Sequence, residues 1–183
     1  DLKPNEFTII STGQISIRKG SIYLLKAFEE LDLKNCKLIL VGNIESELNE
    51  ILKPYFSNPN ITFEKHVKQI RLIDYYNRSH IFVTSSLEEG LSMVQPQAMA
   101  CGLPVIASRT STIPYLVENK CGFIIDDCDP ISISKVIIQM ISDPDNLKLM
   151  GYNARKISGS YTIERWNHVI SSRIDRTWTN ELK

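Results

Sequence analysis

Short apolar runs alternate with segments of helical spacing along the whole of this 183-residue sequence, and the connections between them are short. The apolar runs, rich in β-branched and aromatic residues, predict strands at 7–12, 37–41, 61–67, 81–85, 104–108 and 122–126. The helical spacing predicts helices at 21–31, 45–55, 70–78, 92–102 with its caps, 131–141, 145–157 and 163–178. Six strand signals separated by helices limit the architectures that the chain can adopt.

Strands that alternate with helices indicate βαβ units, which build parallel sheets. The sequence therefore predicts an α/β fold, a Rossmann-like doubly wound parallel sheet of about six strands with helices on both faces and C-terminal helices. The length suits a single domain over residues 1–183. Ligands of such sheets bind beyond the carboxyl ends of the strands. The connections to examine for a site are 13–20, 42–45, 66–70 and 87–91.

Charge and hydropathy exclude several classes of protein. Lys plus Arg and Asp plus Glu both number 21, so no overall basic field would recruit nucleic acid or an anionic membrane. The longest apolar runs, such as Leu38 to Val41, are far too short to span a bilayer. The first residues, DLKPNEF, do not resemble a signal peptide. Because the sequence does not begin with Met, we expect it to be either a processed chain or, as the preferred interpretation, an excised piece of a longer chain.

The cysteines and histidines predict neither a metal site nor a disulfide framework. Cys36, Cys101, Cys121 and Cys128 are irregularly spaced, with no Cys-x-x-Cys pair and no nearby histidine pattern. Cys36 and Cys101 border apolar segments and are expected to be reduced core thiols, which favours a cytoplasmic location. His80 directly precedes a strand and is expected to be structural.

The most informative stretch is 84–108, TSSLEEGLSMVQPQAMACGLPVIAS, which reads as strand, loop, helix and strand. Ser92 and Gln95 have the spacing of a capping box, and Gly102 is placed to end the helix. Glycine at position 90 would let a ligand approach the backbone, and a helix N-terminus attracts anions. Glu89 lies before the helix and Gln97 inside it. A nucleoside diphosphate sugar would suit such a site, although a capped helix that only connects two buried strands explains the same pattern.

The connection GQISIRKG, residues 13–20, joins the first predicted strand to the first predicted helix. Gly20 and Ser21 stand at the helix start, where backbone amides can bind an anion. Arg18 and Lys19 add two cations, and a lysine at the end of a strand can neutralise a departing diphosphate. The alternative interpretation is two solvated cations on a turn.

Together, the two connections resemble a known family. Lys19-Gly20 after a strand, and Glu89-Gly90 followed by AMACGLPVIAS, resemble the C-terminal, donor-binding domain of family 4 retaining glycosyltransferases of the GT-B fold. The resemblance extends from the first predicted strand to about Trp178. It implies that Glu89 holds hydroxyls of the donor sugar and that Lys19 faces the diphosphate.

The resemblance also assigns the remaining donor-binding positions. It implies that the amides of Gly90, Leu91 and Ser92 face the phosphates, and that the loop at His66 and Val67 holds the base, although the glycine common there in the family is absent. Donor contacts are also expected from Gly13, Gln14, Arg18, Gly20 and Gln97.

Two positions depart from the family pattern. A second glutamate of the family falls on Gln97, which would hold the ribose hydroxyls without a charge. An arginine of the family falls on Gln14, which removes one cation from the leaving group. Arg18 is a candidate to replace that cation.

The function implied is that of a hexosyltransferase, which transfers a sugar from a UDP- or GDP-sugar to an acceptor hydroxyl, with retention, in surface glycan synthesis. No metal or other cofactor is implied. The expected partners are the nucleotide sugar and an N-terminal acceptor-binding domain of the same polypeptide, through which any membrane contact would occur. The last helix, with Trp166 and Trp178, would contact that domain, and the chain alone would bind donor with little or no transfer.

Three alternatives remain at this stage. Gln14 and Gln97 favour a nucleotide-sugar binding module without catalysis. A sugar-nucleotide epimerase shares the two-domain architecture, but the Ala-Met-Ala-Cys-Gly block argues against it. A receiver-like signalling domain would need acidic residues after the first strand, where this sequence has Gly13 and Gln14.

Overall fold

The computed structural model of the chain describes residues 6–90, 92–112, 116, 120–126 and 128–181. Leu91, predicted to bind donor phosphate, lies outside the described residues. The side chains of Trp166 and Trp178, predicted to contact a second domain, also lie outside them.

Six parallel strands form one sheet, in the order β3-β2-β1-β4-β5-β6. The strands are β1 (Phe7–Thr12), β2 (Cys36–Val41), β3 (Ile61–Glu64), β4 (Ile81–Thr84), β5 (Val105–Ser108) and β6 (Gly122–Ile125). The chain winds outward from β1 through β2 to β3, then returns to the other side of β1 with β4. Connections that leave β1 and β4 therefore diverge, and they open a crevice at the carboxyl end of the sheet.

Helices cover both faces of this sheet, which confirms the predicted fold class. They are α1 (Ser21–Glu30), α2 (Asn49–Phe56), α3 (Gln69–Tyr76), α4 (Val94–Ala100), α5 (Pro130–Ser142), α6 (Pro144–Ser158) and α7 (Ile163–Glu181), with a 3-10 helix at Ser46–Leu48 before α2. Helix α1 packs against α5, and α4 packs against α6. Of the described helices, none combines the length and the apolar character needed to span a bilayer.

Two hydrophobic cores lie on opposite faces of the sheet because successive strand residues point to opposite sides. Ile9 is completely buried in one core with Leu24 of α1. Its neighbour Ile10 is completely buried in the other core, with Phe82 and with Met99 of α4. The central strands are therefore apolar on both faces, which explains the nearly continuous apolar runs of the sequence.

The predicted capping box at Ser92 and Gln95 is wrong. Helix α4 begins at Val94, and the Ser92 hydroxyl is buried without a hydrogen-bond partner among the described residues. Gln95 does not reach back to the helix start, because its completely buried side chain donates to the carbonyl of Ser111. Because the Gln95 side chain is engaged in this tertiary hydrogen bond, it does not form the local cap.

The predicted end of α4 is confirmed. Gly102 has a φ of 83°, a left-handed conformation that favours glycine, and its N–H donates to the Met99 carbonyl at 2.8 Å. The starts of α5 and α6 lie one residue before the predicted positions, with proline in the first turn of each. Asp129 caps α5 by accepting from the Ser132 N–H at 2.9 Å. The third strand is shorter than predicted and ends at Glu64.

Candidate functional site

The connection after β1 and the connection after β4 are joined to each other at the crevice. The Leu87 N–H donates to the Arg18 carbonyl at 2.9 Å, and the Ser85 hydroxyl donates to the Gly20 carbonyl at 2.9 Å. Gly20 has a φ of 66°, and a Cβ built there would lie 1.8 Å from the Ser85 carbonyl oxygen. Only glycine permits this approach, so residue 20 fixes how closely the two connections meet.

Lys19 and Glu89, the two predicted catalytic residues, form an ion pair across this joint. The Lys19 ammonium donates to Glu89 Oε2, although the two residues are 70 positions apart in sequence. Their side chains are only 23% and 12% exposed. The turn that presents Lys19 is fixed in addition by Ser16, whose hydroxyl accepts from the Lys19 N–H at 3.2 Å. A cation and a carboxylate therefore meet beside the crevice, where one ligand could contact both.

The backbone next to Glu89 is open. Apart from its chain neighbours, no described residue has an atom within 4 Å of a Cβ built on Gly90, and Gly90 is exposed. Because α4 begins only at Val94, the predicted amides of Gly90 and Ser92 precede the helix and do not belong to its first turn. Ser92 is buried, with 4% exposure. Gly90 therefore offers unobstructed backbone to a ligand held by Lys19 and Glu89.

Below Lys19 lies a narrow cleft between β1 and β4. Gly13 and Gln14 line it, with Lys19 and a set of hydroxyl side chains, Ser11, Thr12, Ser21, Thr84 and Ser86. In the described part of the chain, no atom outside its chain neighbours lies within 4 Å of a Cβ built on Gly13. The cleft is thus polar and open at Gly13, and Lys19 is its one cation among the described lining residues.

Arg18 lies at the outer edge of the same joint. Its guanidinium is exposed, and Nη1 donates to the Glu88 carbonyl at 3.3 Å. The residue therefore contributes a second positive charge to these two connections, while its own carbonyl holds Leu87.

The loops after β2 and β3 lie at the same carboxyl-end edge of the sheet, farther from the crevice. Ile15 and Ile44 form a parallel β-bridge, so the loop after β2 pairs with the connection that contains Lys19. The exposed His66 donates its N–H to Asn43 Oδ1 at 3.4 Å. Val67 is half-buried and packs against the core that contains Ile10. The predicted base-binding positions thus adjoin the site through the loop after β2.

Gln97 does not line the cleft beneath Lys19. It is half-buried on α4 and faces an open, largely apolar groove between α3 and α4, lined also by Gln69, Ile70, Ile73, Tyr76, Ala100 and Cys101. Of the predicted donor-binding residues, the structure brings Gly13, Gln14, Arg18, Gly20 and Gly90 to the joint of Lys19 and Glu89, and it sets Gln97 in a neighbouring depression.

A group of hydroxyls that the sequence analysis missed anchors the loop that contains Glu89. The carbonyl of Ser86 accepts from Ser108 Oγ at 2.6 Å and from Thr110 Oγ1 at 2.5 Å. Cys128 Sγ lies 3.1 Å from the Ser85 carbonyl. One sequence signal could have predicted this group. Small polar residues follow both β4 and β5, and the carboxyl ends of these two strands are adjacent in the parallel sheet.

Cys36, Cys101 and Cys121 pack in or against the two hydrophobic cores. Burial raises the pKa of the Cys36 thiol to about 12, and it also raises the pKa values of Cys101 and Cys121. No disulfide joins any two of the cysteines in the described part of the chain. In the part of the chain that is described, no three His, Cys, Asp or Glu residues are grouped so that they could hold a metal ion.

Comparison with known sequences decides the family. The sequence model described as glycosyl transferases group 1 matches residues 1–157. The chain belongs to this family. It is 32% identical over 158 residues to the capsular polysaccharide biosynthesis glycosyltransferase CapM of Staphylococcus aureus, a match that covers 83% of this chain and 41% of CapM. The chain thus spans less than half the length of the curated relatives it matches.

Solved structures agree with this assignment at the level of the fold. The C-terminal domain of the group 1 glycosyl transferase LpcC from Francisella tularensis has a TM-score of 0.77 at 19% identity, over 87% of this chain and 88% of that domain. HepE from Anabaena, solved in complex with UDP-glucose, has a TM-score of 0.75 at 20% identity, over 96% of this chain and 49% of HepE. The predicted resemblance to a C-terminal domain of the GT-B fold is confirmed.

Proposed function

We propose that this group 1 glycosyltransferase chain binds a nucleoside diphosphate sugar, UDP- or GDP-linked, as the donor-binding domain of a retaining hexosyltransferase. The observation that supports this is the meeting of Lys19 and Glu89 at the crevice between β1 and β4, beside the open backbone of Gly90. A diphosphate requires a cation and free amides, and a sugar requires a hydrogen-bond acceptor. These groups lie together at the point where doubly wound sheets bind nucleotides.

Each residue has a role in the proposed reaction. Lys19 would neutralise the negative charge that develops on the diphosphate as the bond to the sugar breaks, and stabilisation of developing charge is commonly the largest catalytic effect. Glu89 would accept hydrogen bonds from sugar hydroxyls and orient the ring. Arg18 and the amide of Gly90 would add positive potential at the phosphates. The proposal includes no metal or other cofactor.

The nucleoside would extend from the phosphates toward the loops after β2 and β3. His66 and Val67 would adjoin the base, and the amide of Gln97 would bind ribose hydroxyls without a charge. The structure of HepE with UDP-glucose supports a nucleotide sugar as the ligand of this fold.

A second domain would complete the enzyme. The relatives are more than twice as long as the matched region, and the proposal assigns acceptor binding to an N-terminal domain of the same polypeptide. CapM acts in capsular polysaccharide biosynthesis, so a surface glycan is the proposed product. A cytoplasmic location, with membrane contact only through the second domain, belongs to the same proposal.

The second candidate function is a nucleotide-sugar binding module without catalysis. Two observations favour it: Gln14 supplies no charge to the cleft, and Gln97 faces the neighbouring groove. The longer protein, incubated with labelled donors, would distinguish the two functions, because transfer or hydrolysis of the donor requires an enzyme.

Calorimetric titration of the 183-residue chain with UDP, GDP, UDP-glucose and GDP-mannose tests donor binding directly. Lys19→Ala should weaken binding of the preferred nucleotide by about tenfold or more, since a charge-assisted contact of 1.5–3 kcal/mol is lost. Lys34→Ala is the matched control, because Lys34 is an exposed lysine at the opposite end of the sheet, between α1 and β2. Unchanged affinity in Lys19→Ala would remove Lys19 from the phosphate site.

A further inference from the structure

The ion pair of Lys19 and Glu89 has a consequence for which ligands the site accepts. Both residues are proposed to bind the donor, yet without a donor they bind each other. Among the described residues, neither forms another salt bridge. A ligand that recruits Lys19 therefore has to break this pair.

Breaking the pair affects the two partners differently. The Lys19 ammonium gains phosphate oxygens, which are strong acceptors. The Glu89 carboxylate, whose side chain is 12% exposed while the pair is intact, loses its cation to a phosphate that carries the same charge sign as the carboxylate. A partly buried charge without a partner is unfavourable. A bare nucleoside diphosphate leaves Glu89 in that state.

An intact nucleotide sugar does not leave Glu89 without a partner. Its ring hydroxyls lie next to the diphosphate and can donate hydrogen bonds to both carboxylate oxygens, which restores partners to Glu89. Among the described residues, chain neighbours aside, no atom lies within 4 Å of a Cβ built on Gly90, so the backbone beside the carboxylate is open on the side where we place the ring. We propose that the Lys19–Glu89 ion pair is a discriminating contact, which disfavours a nucleoside diphosphate unless an attached sugar compensates Glu89. This inference rests on the proposed donor site.

The pair would then also assist product release. After the sugar has left, the diphosphate remains on Lys19 and Glu89 is again without partners. Re-formation of the ion pair competes with the phosphates for the same ammonium. The chain thereby distinguishes its substrate from its product with two side chains, and no rearrangement of the backbone is required.

Titration calorimetry of the 183-residue chain with UDP and UDP-glucose, and with GDP and GDP-mannose, tests this. Glu89→Gln keeps the shape of the side chain and removes the charge that holds Lys19. We expect the bare diphosphate to bind about three- to tenfold more tightly to this variant, and the sugar nucleotide to gain nothing or to weaken. The preference for the sugar nucleotide over the diphosphate should therefore shrink.

Glu88→Gln is the matched control, because Glu88 is the exposed neighbour and its removal changes the net charge equally. If both variants raise the affinity for UDP by the same factor, the effect is one of general charge and the inference is overturned. Weaker binding of UDP to Glu89→Gln would overturn it as well. If Glu89→Gln does not fold, Glu89→Asp, which retracts the carboxylate by one methylene, should give a smaller tightening in the same direction. If the unsubstituted chain binds none of the four ligands, the proposed function fails together with this inference. If it binds them with a preference that Glu89→Gln leaves unchanged, only this inference fails.

Discussion

The close approach at Gly20 gives a stability prediction that can be worked out from the structure. In Gly20→Ala the new methyl would lie 1.8 Å from the Ser85 carbonyl oxygen, which belongs to the backbone and cannot rotate away. The φ of 66° adds about 1–2 kcal/mol for any residue with a Cβ. Displacement of Ser85 would also break its 2.9 Å hydrogen bond to the Gly20 carbonyl, which contributes about 1 kcal/mol.

The two quantified contributions together lower the free energy of unfolding by about 2–3 kcal/mol. For a domain of this size, that corresponds to a fall in Tm of roughly 4–12 °C. Urea unfolding followed by circular dichroism would measure it as a lower midpoint with an unchanged slope. Because the same joint presents Lys19 and Glu89, the variant should also bind donor more weakly.

Gly159→Ala is the matched control. Gly159 has a φ of −59°, and a Cβ there would lie 3.8 Å from the nearest atom, the Lys156 carbonyl oxygen, which is an ordinary contact. This variant should unfold at nearly the same urea concentration as the unsubstituted chain. If Gly20→Ala is as stable as Gly159→Ala, the connections after β1 and β4 are not held together in the way described.

Two further predictions concern titrating groups. Burial lowers the pKa of His80 below its ordinary 6.5, with Glu6 opposing in part, and His80 Nδ1 accepts from the Thr8 N–H at 2.9 Å. As the pH falls, the unfolded chain therefore takes up the proton before the folded chain does, so Tm should fall as pH drops below about 6.5. His80→Asn should reduce this dependence. A pH profile of Tm identical to that of the unsubstituted chain would contradict the assignment. Cys36, with its pKa raised to about 12 and its side chain buried, should resist a thiol-specific reagent at pH 8 in the folded chain and react in urea.

The strands and helices could be predicted because each has a local signal. Ile9 and Ile10 are neighbours on a central strand and are buried on its two opposite faces, so the strand reads as a continuous apolar run. Gly102 and Pro104 mark the end of α4 by local signals that do not depend on tertiary contacts. Boundaries were less accurate where the signal was continuous, as at the end of β3. The predicted run there continued through Val67, which packs in the core although it lies in a loop.

The cap of α4 and the anchors of the Glu89 loop could not be predicted, because they depend on residues distant in sequence. Gln95 has the spacing of a capping residue, but its side chain donates a hydrogen bond to the carbonyl of Ser111, which follows the next strand. Ser86 is held by Ser108 and Thr110, and no local pattern marks these residues as its partners. Resemblance to a family placed Lys19 and Glu89 in one site, whereas their direct contact is a property of the folded chain.

The candidate site divides into a part held by hydrogen bonds and an open part. Ser85 and Ser86 are buried, tied to Gly20 and to the end of β5 by hydrogen bonds. From Leu87 to Gly90 the described chain is exposed or half-buried, and a Cβ built on Gly90 would meet no atom of the other described residues within 4 Å, its chain neighbours left aside. In the proposed donor complex, the side chains of Lys19 and Glu89 would change partners while Ser85 and Ser86 keep their hydrogen bonds. On that proposal little ordering entropy would oppose donor binding, and the preference between ligands would depend on the strength of one ion pair.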